Sequence, residues 1–94
     1  MIKAKEANIN SKVTIENLAK EFIWNEVSSK VQSAIDGGWF HTNVSLNKVP
    51  NAQYVGPVVV NMLKDEYGYE AEFIYEDHYP QEASYICIDW NNAK

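Results

Sequence analysis

Over residues 14–36 the chain has neither Gly nor Pro, and apolar side chains recur every fourth position at Ile15, Ala19, Ile23, Val27, Val31 and Ile35. That spacing predicts a long helix, and Gly37-Gly38 supplies the left-handed ending that helices favour. Each step of four residues advances about 400° in a 3.6-residue helix, so the row drifts by about 40° a step and about 200° from Ile15 to Ile35. Leu18, Phe22, Trp24 and Ala34 widen it further. A helix apolar around so much of its circumference either wraps around its own core or shares that surface with a second chain. Upstream, Ala4, Lys5, Glu6 and Ala7 are followed by the polar interruption Asn8-Ile9-Asn10-Ser11. This fits one helix from the N-terminus, or a short turn and then a helix capped near Asn10 or Thr14.

Residues 39–46 alternate with period two, placing Phe40, Thr42, Val44 and Leu46 on one face of a first strand. Residues 47–51, with Pro50, are turn chemistry. Val58, Val59, Met62 and Leu63, with Pro57 in the first turn and Gly68 past the end, predict a second helix near 53–67; a start at Pro57 is the alternative. Tyr69, Ala71, Phe73 and Tyr75 then alternate with Glu70, Glu72, Ile74 and Glu76, a second strand whose acidic side faces water. A polar connection over 77–82 leads to a third strand, with Ile86, Ile88 and Trp90 on one face.

The order α-β-α-β-β predicts a two-layer α+β fold: a long N-terminal helix and a second helix packed on a three-stranded mixed sheet. A right-handed parallel crossover would join the first two strands, and a short loop would set the third antiparallel to the second. A chain of 94 residues suits a single domain over 1–94, with a thin stability margin that a partner chain would supplement. Its 46% hydrophobic and 22% charged residues are those of a folding globular protein, not a disordered one.

Charge changes the picture once it is divided along the chain. The net −5 comes from a first half, 1–50, with six lysines against five carboxylates and a second half with two lysines against eight. There is no arginine. Scattered lysines on an acidic chain argue against direct nucleic-acid binding, which depends on neutralising phosphates, and an acidic half suits a basic protein partner instead. The longest apolar run, Val58-Val59-Val60, is far short of the ~20 residues that span a bilayer, so no membrane association is expected. The lone Cys87 and the polar start without a leader predict a reducing, cytoplasmic setting.

Candidate chemistry is sparse. Cys87 lies two residues from Asp89, but His41 and His78 stand on other elements without ligand spacing, and an anionic half disfavours a reactive thiolate. Gly37-Gly38 follows a helix, where a phosphate-binding turn would follow a strand. The chain therefore reads as non-enzymatic, with no catalytic residue, metal or cofactor. Glu70, Glu72 and Glu76, near Asp77 and Tyr79, form either a solvated face that protects a sheet edge or a contact surface for a basic partner. Twelve aromatics are many for one small core, and Trp24, Tyr54, Tyr79 and Trp90 exceed it. Interface roles for some of them, and a homodimer through Ile23, Trp24, Val27 and Val31, follow from the drifting stripe.

Certain positions carry a likeness that is architectural. The opening Ile2-Lys3-Ala4-Lys5-Glu6-Ala7, the helix closing as Ala34-Ile35-Asp36-Gly37-Gly38, the helix ending with Leu63 and then Gly68-Tyr69, and the final Ile88-Asp89-Trp90 together resemble small accessory proteins of tailed bacteriophages and prophages. Pro57 and the Asn8 to Ser11 interruption depart from that pattern. The resemblance brings no site residues. It implies a phage setting, hence the host-cell cytoplasm, in which small acidic proteins often inhibit host or defence machinery. The expected function is thus to bind and inhibit or modulate a host or defence protein through the acidic C-terminal face. A protein that binds or sequesters a nucleotide signal, and a virion or assembly component, are the alternatives.

Overall fold

The structure, a computed structural model, describes residues 1–77 and 82–93. Helix α1 (Ala4–Phe22) passes through a π turn (Ile23–Val27) into α2 (Ser28–Asp36), so the helix runs through Asn8-Ile9-Asn10-Ser11 without a break. At 1.5 Å per residue these segments span about 50 Å, in keeping with the longest extent of the molecule, 53 Å.

The π turn resolves the drift of the apolar stripe. Ser28 donates its backbone N–H to the Ile23 carbonyl, five residues back, and its Oγ–H to the same oxygen at 3.0 Å. One extra residue in a turn sets everything downstream back by about 100°. Val27, Val31 and Ala34 are thereby returned to the face that carries Ile15, Leu18, Ala19 and Phe22. Ala19, Phe22, Ile23, Val27, Val31 and Ala34 are all buried. Ile35, at the end of the remaining drift, stays half exposed. The helix thus wraps around its own core and leaves that stripe no share for a second chain. It ends as expected at Gly38, where φ is +78°, with Trp39 N–H bonded to the Ala34 carbonyl at 2.8 Å and Gly38 N–H to that of Ile35 at 3.0 Å.

Strands β1 (His41–Ser45), β2 (Glu70–Asp77) and β3 (Glu82–Asp89) form one sheet in the order β1-β3-β2. Both pairings are antiparallel, so the sheet is not mixed. The expected crossover survives only in direction: β1 and β2 run the same way, but β3 lies between them. The most apolar strand takes the centre, where Ile86 and Ile88 are sealed, while short β1 and acidic β2 take the edges.

Helix α3 (Ala52–Asp65) starts before Pro57, from Asn51 in a left-handed conformation with φ 55°. Pro57 therefore sits inside the helix, on its exposed side. Its neighbour Gly56 is buried, and a Cβ there would lie 2.5 Å from the Phe73 ring. This absence of a side chain lets α3 rest directly on β2. Val55, Val59 and Leu63 of α3 complete the core with Val44, Ile86 and Ile88 of the sheet and Leu46 just after β1. Thr42, Val44 and Leu46 face inward as the alternation predicts, but Phe40 precedes the strand and is exposed.

Candidate functional site

The helices lie on one face of the sheet, and among the described residues nothing covers the other. An antiparallel sheet tolerates this because alternate side chains can be polar. The register assembles the open face in rows across the strands. His41, Asp89 and Glu70 form one row; Asn43, Cys87 and Glu72 the next; Ser45, Tyr85 and Ile74 the third. Glu70 and Glu72 are exposed on the edge strand, as their alternation with Ala71 and Phe73 predicts. Glu76 and Asp77 pair with Ala83 and Glu82 in the same ladder, and Tyr79 lies outside the described residues.

Asp89 was not among the residues expected on this face. Its addition depends on strand order, because only a central β3 sets it directly opposite Glu70. Like charges opposite each other across an antiparallel pair are destabilising. Asp89 retains one local partner, the Asn91 N–H, which donates to its Oδ1 at 2.8 Å. On the other side His41 packs edge-on to Trp39, ring centroids 5.7 Å apart.

Cys87 lies in the middle of this face, half-buried and free. Burial pushes its thiol up from the ordinary 9.0, and the Glu72 carboxylate opposite it pushes the same way. The group is thus held as the thiol, the weak nucleophile. Among the described residues no cluster of three His, Cys, Asp or Glu side chains could hold a metal ion, and no helix is long and apolar enough to cross a membrane.

The four residues proposed for a dimer separate into two groups. Ile23, Val27 and Val31 are buried in the core of their own chain, Val27 at 2% exposure, so they offer no contact surface. The π turn is the reason, since it turns all three inward. Trp24 alone is outside, at 78% exposure, beside Tyr67 and Met62. Tyr54 is exposed, whereas Trp90 is half-buried against Tyr69 in an edge contact of 5.9 Å. No known protein family, curated protein or solved structure matches this chain.

Proposed function

We propose that the protein is a non-enzymatic binding module whose open sheet face occupies a basic surface on another protein. The observation that carries this reading is the pair Glu70 and Asp89, set opposite each other with Glu72 one row away on an uncovered face. Such an arrangement raises the energy of the free protein and is relieved by a cationic partner, so it favours association over stability. The protonated Cys87 at its centre suits a contact surface better than a nucleophilic site.

The phage or prophage setting, with a host or defence protein as the partner, comes from the sequence resemblance and extends the proposal to inhibition or modulation of that partner. A nucleotide signal is a poorer fit. The large groove between α1 and α3 has Glu16, Asp65 and Glu66 on its walls, with Lys12 as the cation, the wrong balance for phosphates.

Affinity capture with the wild-type chain and the Glu70→Lys/Glu72→Lys variant, at about 0.1 M and about 0.5 M salt, tests the reading. A basic protein should be retained by the wild type at low salt and lost with the variant or at high salt. A partner retained equally by both chains at both salt concentrations overturns it.

A further inference from the structure

The N-terminal part of α1 has no cover. All of residues 1–14 are exposed; Ile9 and Val13, at 51% and 50% exposure, stand one turn apart on the helix, within about 40° of each other, and Ile2, at 60%, precedes it. Asn8, Asn10, Ser11 and Thr14 are weak helix formers, and a stretch of this length is marginal in water without packing. An exposed helical arm of weak helix formers with an apolar stripe therefore needs a surface to lie against.

That surface is on the same molecule, where the arm itself cannot use it. Between α1 and α3 is a groove of about 990 Å³ with an apolar floor of Ile15, Val58 and Met62. Its α1 wall is centred about 120° around the helix from the Ile9 and Val13 stripe, so the stripe points past its own groove. The charges are complementary. The arm carries Lys3 and Lys5 at its tip, and Glu16, Asp65 and Glu66 outnumber Lys12 among the residues that line the groove.

We propose that the occupant is a second copy of the chain, each arm lying in the other's groove in a two-fold dimer. In the arrangement proposed the two-fold axis lies across the arms, which then run antiparallel. An antiparallel arm directs Lys3 and Lys5 towards the other copy's Glu16, the groove residue furthest along α1, in a groove that Asp65 and Glu66 also line. Each copy then gives a stripe and receives one, so the contact closes at two chains. This interface lies away from the sheet face and stands independently of the function proposed for that face.

Sedimentation equilibrium of the full chain at micromolar concentration should give twice the 10.8 kDa chain mass. The Ile9→Asp/Val13→Asp variant should sediment as a single chain. A charge exchange guards against simple unfolding. Lys3→Glu/Lys5→Glu places acid at a helix N-terminus and Asp65→Lys/Glu66→Lys places base at a C-terminus, both favoured by the helix dipole. Each variant alone should dimerise about tenfold or more weakly, and an equimolar mixture should recover the wild-type affinity as a mixed dimer. A monomeric wild type, a dimer indifferent to Ile9 and Val13, or a mixture without recovery overturns the proposal.

Discussion

The long helix has two parts that share one sequence pattern and differ in fate. From Ile15 to Ala34 it is the wall of the core, with Ala19 sealed and Phe22 at 5% exposure. Before Ile15 it carries the same density of isoleucine and valine, yet every residue is exposed. Periodicity makes both parts helical, but only the first is covered by the sheet and α3. The difference teaches that an apolar stripe records a need for cover, while the rest of the fold decides whether the cover comes from the same chain.

The π turn is the sharpest place to break this contrast. Deleting exposed Asn25 should restore an ordinary helix and rotate α1 against α2 by about 100°, setting Ala19 and Phe22 out of line with Val27 and Val31. Cooperative thermal unfolding, followed by circular dichroism, should be lost. Deleting Asn8 in the arm should leave a cooperative transition in place.

Single side chains should repeat the contrast on a smaller scale. Phe22→Ala should cost about 3–5 kcal/mol in urea unfolding, as expected for a large core residue. Ile9→Ala, measured under monomeric conditions, should change stability by about 0.5 kcal/mol or less. Equal effects at the two positions would show that the arm is packed in the single chain.

Gly56→Ala tests the close approach of α3 to β2. Its Cβ would enter the Phe73 ring, so a loss of about 1–3 kcal/mol is expected, although alanine is the better helix former. Truncating the ring as well, in Gly56→Ala/Phe73→Leu, should recover part of the loss.

The smallest effect belongs to the open face. The Cys87 thiol is raised in the folded chain, so the native state holds its proton after the unfolded chain has released it. Stability should therefore fall as pH rises from 9.0 towards the folded value, and Cys87→Ser should flatten that fall. Glu72→Gln removes the lesser of the two causes, and alkylation of Cys87 should then begin at a lower pH than in the wild type.

Much of the architecture was legible beforehand. The two-layer α+β fold, the helix end at Gly37-Gly38, the inward Ile86 and Ile88 and the exposed Glu70 and Glu72 all follow from periods of 3.6 and 2 and from glycine's freedom at positive φ. The start of α3 was misplaced in the alternative reading because Pro57 is tolerated inside the helix, on the solvent side. The candidate face was half legible: Glu70 and Glu72 alternate visibly along one strand, but Asp89 joins them from a strand almost twenty residues away.

What the sequence determined by itself is the kind of each element, where most of them end and which of their sides is apolar, since these depend on neighbours a few residues apart. The tertiary structure decided what those sides meet. It placed β3 between two strands that would otherwise have paired in parallel, and so set Asp89 against Glu70. Through the Ser28 to Ile23 hydrogen bonds it also turned Val27 and Val31 into the core of their own chain and left the Ile9 and Val13 stripe uncovered. The strand order and the cover each face receives depend on contacts between residues far apart in the chain, whose energies no local period encodes.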